Sequence, residues 1–522
     1  MVANNRISTA SSMGNVRGGG AGPRSSAWFT ADDAKASFNL FCCVCGIGSL
    51  AMPANYARAG PIYASIALAF MIFANTYTTV ALSKVLLVAP SSVKTYGDVG
   101  EWVLGKWGRW ITVISQMGVC LLVPIAFLVM GSTLLDVLFP DSFGQIYWMF
   151  FMAITVLPVC LIPTLKEGAA MAFAGCMGTV IADIIGISIL QYEMRGHPTI
   201  PSPDISLGQV LQSFGSLALA YGAAIVVPDL HREHPQPQRM PNVVMITIVV
   251  ISIFFVVIAV TGYTAGGCQL SGNLLYSFVD TDNPTGVSPL GFTASRGAVI
   301  MAYLFMQVHI TIAFSTLLQP PFYMAERLIL GMHKTTNPTF TVDDQDEELQ
   351  EKRSYVLSST PMEISRGSVT STSHGALESG MDQSEEQEPE HNDYSLSEYE
   401  GSRNVMRYVG LRIVIILILV AIGVALRDKY LDLQDFTGAT AHTTSCLIMP
   451  TIMYLKVFWR NIPKYEKVGA SLIIVICFLC GLYALIIAGK DLFTPSDDEA
   501  TFKYCPAEYQ ETPYYIRSNS TN

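Results

Sequence analysis

Charge is what this sequence has least of. Only 14% of its 522 residues are charged, against about 25% in an ordinary soluble protein. With a mean hydropathy of +0.40, the chain belongs in a bilayer rather than in water. Metal-binding patterns are missing too. The cluster Cys42-Cys43-x-Cys45 has no histidine or second cysteine pair at zinc spacing. No nucleophile elbow, paired intramembrane carboxylates, His/Glu metal spacing or phosphate-cradling glycine loop occurs. These absences argue against an enzyme, a bound metal, a cofactor and an ATP-driven pump. The charge balance gives no sign of nucleic-acid binding. A secretory signal peptide is also missing. Residues 1–34 are rich in Gly, Ser and Asn with scattered Arg, and are expected to be a disordered cytoplasmic tail.

What charge there is lies unevenly. Residues 331–400 hold 16 acidic and 4 basic residues, leaving 25 acidic and 27 basic in the rest of the chain. The acidity thus belongs to one insert, 331–403, which has too few apolar residues to build a core. A disordered cytoplasmic loop is expected there. It reads as a linker, or as a regulatory segment whose Ser and Thr accept phosphate.

The remainder is apolar runs, each long enough to cross a bilayer in about 20 residues. Eleven candidates fall roughly at 35–57, 61–89, 107–138, 146–165, 168–191, 206–228, 240–262, 291–326, 405–426, 434–459 and 467–489. Residues 35–330 would carry eight and 404–490 three. Lys and Arg set the orientation. With the N-terminus cytoplasmic, 19 basic residues fall inside against 8 outside once the insert is discounted. The 491–522 tail then lies outside or in a lumen. Asn519 there begins a glycosylation sequon, and Cys268 and Cys505 share that side, within reach of a disulfide if the fold brings them together. Trp102, Trp107, Trp110, Trp148 and Trp459 stand at span ends, where aromatic rings favour the interface. Glu326-Arg327 and the charges from Asp229 to Glu233 read as solvated end charges.

Two spans are built badly for simple anchors. The first carries Gly46, Gly48, Ser49 and Pro53 near its middle. The sixth carries Tyr221, Gly222 and Ala223 with Pro228 beyond. Gly loosens a helix and Pro removes a donor, and in lipid the freed groups must find partners. Paired interruptions five spans apart are what two inverted repeats of five spans produce, and they point to a transport site. The alternative is that Gly serves close helix packing. On the site reading, main-chain groups of Gly46, Ile47, Gly48, Ser49 and Leu50 hold a zwitterion, with the new half-helix facing its carboxylate. Selectivity then falls to Tyr221 and Ala223 beside Gly222.

At these residues the chain resembles the amino acid/auxin permease family. The resemblance rests on Asn39-Leu-x5-Gly46-x-Gly48-x-Leu50-Ala51-x-Pro53, on Ala220-Tyr221-Gly222 with Pro228-Asp229-Leu230, on Pro320 to Glu326, and on Asp435-Phe-Thr-Gly438 with Met449-Pro450. It covers about 34–490 apart from the insert. It implies an all-α membrane protein with the fold of the bacterial leucine transporter, a 5+5 inverted repeat plus one helix. It also implies amino acid transport coupled to H⁺ or Na⁺. In that fold eighth-span hydroxyls help to hold sodium, which brings in Ser315 and Thr316; the other reading is that they bond back to their own helix. His309 on the same span is a candidate proton carrier, and is otherwise a packed polar group. Asp183 lies inside the fifth span and is either a proton carrier or a structural polar contact. A receptor-like amino acid sensor and an uncoupled channel stay open as alternatives. The plasma membrane and a vacuolar or lysosomal membrane would look alike.

Overall fold

Apolar runs become helices, and capping residues decide where several of them start. Thr30 and Asp33 bond reciprocally at the head of α1 (Ala31–Val44), Thr95 and Asp98 at the head of α5 (Tyr96–Leu138), and Ser206 and Gln209 at the head of α8 (Leu207–Ala220). The computed structural model describes residues 28–90, 92–161, 168–281, 283–332, 353, 356–357, 399, 401–494 and 500–517, with 168–170 as backbone only. The other helices are α2 (Ile47–Leu50), α3 (Met52–Ala59), α4 (Pro61–Val88), α6 (Gln145–Cys160), α7 (Gly168–Glu193), α9 (Val227–Glu233), α10 (Met240–Gly266), α11 (Leu274–Ser277) and α12 (Arg296–Ala325). After the insert come α13 (Ser402–Ala425), α14 (Tyr430–Thr437), a π-helical run Gly438–Ile448, α15 (Met449–Phe458) and α16 (Lys464–Phe493). No strand occurs among the described residues. Eight helices there are long and apolar enough to cross a membrane, or nine if the bent α1–α3 is one span. Asn519 and nearly all of 331–400 lie outside the described residues.

The helices pack in two groups. One joins α3 to α8 and α4 to α10; the other joins α5 to α6, α12 and α13. The packing of α7 against α12 and α1 links the groups on one side, and that of the π-helical run against α8 and α5 on the other. Ile62, Ile66, Phe73, Ile253, Val257, Leu479 and Ile486 remain exposed, as outward apolar residues do in a bilayer, where lipid covers them.

Three details differ from the sequence reading. The third span is preceded by an entry segment: α5 starts at Tyr96 under the Thr95 cap, and Gly105 (φ 73°) turns the backbone between that segment and the span. That left-handed geometry is open to glycine. Trp102 and Trp148 are buried, while Trp107, Trp110 and Trp459 are exposed. Glu326 is not a solvated end charge. It is fully buried, accepts from Arg412 Nε at 2.8 Å and from the Tyr399 hydroxyl at 2.8 Å, while Arg412 Nη1 donates to the Cys160 carbonyl. Phe322 and Tyr408 pack against the guanidinium. Removing one partner leaves the other charge buried. Arg412→Met is expected to cost about 3–5 kcal/mol, read as a large drop in the melting temperature of purified protein. Arg412→Met with Glu326→Leu should recover part of it.

Candidate functional site

The two interruptions lie side by side. α1 ends at Val44, and Cys45 (φ −82°, ψ 123°) is extended. The Gly46 carbonyl accepts from both the Ser49 N–H (3.2 Å) and the Ser49 hydroxyl (2.9 Å). The chain then re-enters helix over α2 and α3, bent by 51° from α1. In the sixth span α8 ends at Ala220, the Tyr221 carbonyl accepts from the Ala223 N–H at 2.6 Å, and a single 3₁₀ turn (Ala224–Val226) leads into α9. Pro53 and Pro228 sit in the first turns of α3 and α9. A missing N–H costs nothing there, so each proline starts a half-helix rather than making the break.

Glycine is required where the segments meet. A Cβ on Gly48 would come within 2.7 Å of the Ala220 Cα, so this is where the first span crosses the sixth. A Cβ on Gly46 would overlap Nε2 of His309, and one on Gly222 would overlap Nε2 of His442. Each break is thus backed by an imidazole. His309 Nδ1 lies 3.2 Å from the Gly175 carbonyl. A carbonyl there calls for a proton on Nδ1, so in neutral His309 the lone pair of Nε2 faces Gly46. Neither His309 Nε2 nor His442 Nδ1 has a hydrogen-bond partner among the described residues.

Between the breaks lies a cavity of about 30 Å³, lined by Gly46, Ile47, Gly48, Gly222, His309 and His442, with Val119, Phe127 and Leu219 as apolar wall. It has room for one or two waters and is too small for an amino acid.

Other expected site residues lie elsewhere. Ser49 and Leu50 are fully buried and do not line the cavity. Tyr221 turns away: its hydroxyl donates to Ser252 Oγ at 3.1 Å and its ring packs edge-on against Phe255. Ala223 is buried outside the lining. Ser315 and Thr316 both donate to the Ile312 carbonyl, at 2.8 and 3.0 Å, and so bond back to their own helix. Asp183 on α7 is fully buried, and neither carboxylate oxygen has a hydrogen-bond partner among the described residues. At the first break the Ser49 hydroxyl lies beside it as a hydrogen-bonding group, and Cys45 is an electrostatic neighbour.

Ion pairs tie the two ends of the first span to other parts of the fold. At one end Asp33 on α1 takes a forked pair from Arg239, with Nε at 3.0 Å and Nη2 at 2.6 Å from Oδ2. His234 Nε2 stands 3.1 Å from Oδ1, and Arg239 also donates to the Trp28 carbonyl. At the other end Arg58, in the last turn of α3, donates to Asp435 on α14 at 2.7 Å. That end carries the bonded pair Cys268–Cys505 (Cα–Cα 5.3 Å). No group of three or more His, Cys, Asp or Glu suited to a metal occurs among the described residues.

Sequence reasoning missed His442 and both ion pairs. The criterion that picked out Asp183, an ionisable residue inside an apolar run, applies equally to His442. No sequence signal joins Arg58 to a partner 377 positions away.

A family model described as "Transmembrane amino acid transporter protein" matches residues 30–493. Curated relatives from Arabidopsis thaliana include amino acid transporter AVT1I, 26% identical over 249 residues (45% of this chain, 60% of the relative). Amino acid transporter AVT1D is 25% identical over 235 residues (43% and 42%). The chain spans about half the length of the curated relatives it matches. Among solved structures, MhsT in complex with L-phenylalanine matches with TM-score 0.49 at 11% identity, over 88% of this chain and 98% of that one. Mhp1, a nucleobase-cation-symport-1 family transporter, matches with TM-score 0.46 at 11% identity (88% and 91%).

Proposed function

Because the chain belongs to the transmembrane amino acid transporter family and is an integral, multi-pass membrane protein, we propose that it carries amino acids by secondary active transport. The observation that carries this reading is the crossing of two broken helices beside a small cavity lined by both breaks. Such a crossing presents main-chain groups at mid-depth without a charged side chain in the lining. The first N–H groups of a half-helix have no partner within it, and those of Ile47 and Gly48 are proposed to receive the substrate carboxylate. His309 Nε2, as an acceptor, suits the ammonium.

Alternating access follows from the two ties. Parting Asp33 from Arg239 opens one side, and parting Arg58 from Asp435 opens the other. Both ties are made at once, so on this reading neither side is open, which disfavours a continuously open channel. We assign eleven spans by adding 145–160 and 430–458 to the nine, arranged as a 5+5 inverted repeat plus one. The disulfide face is assigned to the extracellular or lumenal side, since such bonds persist in oxidising compartments. The tail 1–34 and the insert 331–403 then lie in the cytoplasm, with 491–522 opposite. The coupling ion is assigned as H⁺. This rests on Asp183, a buried carboxyl beside the first break with no ion-pair partner among the described residues; Ser315 and Thr316 donate within their helix, though their oxygen lone pairs stay free.

Uptake of labelled amino acids into vesicles holding the purified protein tests this, with a pH gradient, a Na⁺ gradient, or neither. Concentrative uptake under the pH gradient is expected. No concentrative uptake under either gradient would sink the transporter reading, and uptake driven by Na⁺ alone would overturn the coupling assignment.

A further inference from the structure

Beyond α16 the chain returns across the disulfide face as a strap, residues 500–517, that no step above uses. Its aromatic and polar residues hold it down. Phe502 and Cys505 are buried. The Phe502 N–H donates to the Gln510 carbonyl and the Cys505 N–H to the Phe502 carbonyl, closing a compact loop. Buried Gln269 donates to the Tyr509 and Thr512 carbonyls, both at 2.8 Å, and accepts from the Tyr514 N–H at 2.9 Å. The Tyr514 hydroxyl donates to the Ala265 carbonyl. Cys505 is bonded to Cys268 in the turn after α10, and the Asp204 N–H donates to the Tyr504 carbonyl at 3.0 Å.

All of this fixes one ring. Tyr504, next to the bonded cysteine, lies under the guanidinium of Arg58 at 5.3 Å from ring centroid to Cζ. Lys503 Nζ is 5.5 Å from the same ring. Arg58 therefore has two partners, the Asp435 carboxylate and Tyr504, which offers it both a ring face and a hydroxyl. Side-chain exposure of 13% for each of Arg58 and Asp435 keeps much of the attraction from being screened. To swing away with α3, the guanidinium must leave both.

The structure assigns Tyr504 to this gate as a positioning residue: a disulfide-pinned strap holds an aromatic face under Arg58 and so keeps Arg58 on Asp435. The assignment rests on the Arg58–Asp435 pair being a gate, as argued above. The strap thus sets how often the disulfide side opens, without touching substrate.

The test uses full-length protein in nanodiscs with a reporter, Ser216→Cys. Ser216 is one residue along from Gly215, which packs on the Asp435 carbonyl, and it is buried beside Asn55. The rate of maleimide labelling reads gate opening. Tyr504→Leu is expected to speed labelling about fivefold, the size of one partly buried cation–ring contact, while Tyr504→Phe, which keeps the ring and loses only the hydroxyl, speeds it less. Cys268→Ser with Cys505→Ser should match Tyr504→Leu; an unchanged rate would overturn the pinning by the disulfide. In an Arg58→Gln background, already fast, Tyr504→Leu should add nothing. If the two changes multiply, Tyr504 acts elsewhere and the assignment fails. If Tyr504→Leu leaves the rate unchanged while Arg58→Gln raises it, the gate stands and the role of Tyr504 is wrong. If Arg58→Gln does not raise the rate, the gate reading itself is wrong.

Discussion

Gly46→Ala is expected to lower transport about tenfold or more while the protein still inserts, since overpacking a tight contact costs about 1–3 kcal/mol. The added methyl would land on Nε2 of His309. That ring is fully buried, anchored by Nδ1 at the Gly175 carbonyl and flanked by Phe127, so it has little room to retreat. The decisive comparison is a background of His309→Ala, whose own uptake is lowered by loss of the ammonium acceptor but in which Gly46→Ala should cost nothing further. Gly48→Ala supplies the contrast. Its neighbour is the backbone of Ala220, so trimming His309 gives no relief. Initial uptake rates in vesicles, normalised to inserted protein, read all five variants, the two glycine changes each alone and with His309→Ala, and His309→Ala itself. Wild-type uptake by Gly46→Ala would remove the break–imidazole contact from the mechanism.

Asp183→Asn should abolish accumulation driven by a pH gradient and leave exchange of labelled for unlabelled substrate intact. Ionised and unpaired, Asp183 would carry the full cost of a charge buried away from water. With a proton bound it is a neutral group of nearly the size of asparagine. The substitution therefore freezes one of two states instead of removing a shape. Transport that needs the proton to come and go stops, and exchange that keeps the neutral form throughout continues. Flux measured at a series of external pH values should become flat. An unchanged response to the gradient would take Asp183 out of coupling.

The helices and the two weak spans were legible because their signals are local. A run of about 20 apolar residues or a Gly/Pro cluster needs no knowledge of partners. Register within a break was less legible. Pro53 and Pro228 look like the causes of the interruptions, yet both sit in first turns; the breaks centre on Cys45–Gly46 and Tyr221–Gly222, where neighbouring rings demand glycine. Side-chain direction was illegible. Tyr221 flanks the break but points at α10, since a helix end fixes position along the axis and packing fixes rotation. Long-range pairs were illegible as well. Asp33 and Arg239 are 206 positions apart, and Glu326 looks like any end charge until α13 brings Arg412 to it. His442 was hidden differently, on a π-helical run whose extra residue per turn shifts every face that a regular helix would predict.

The Cys268–Cys505 bond joins positions 237 residues apart. It closes the second part of the chain into a covalent ring that contains α11 to α16 and the whole acidic insert. A cut in the insert therefore opens the ring without dividing the molecule. Both sides of the cut stay one chain by mass until the bond is reduced, and only then do two fragments part. The long acidic segment can be severed by a protease while the membrane part remains a single covalent body.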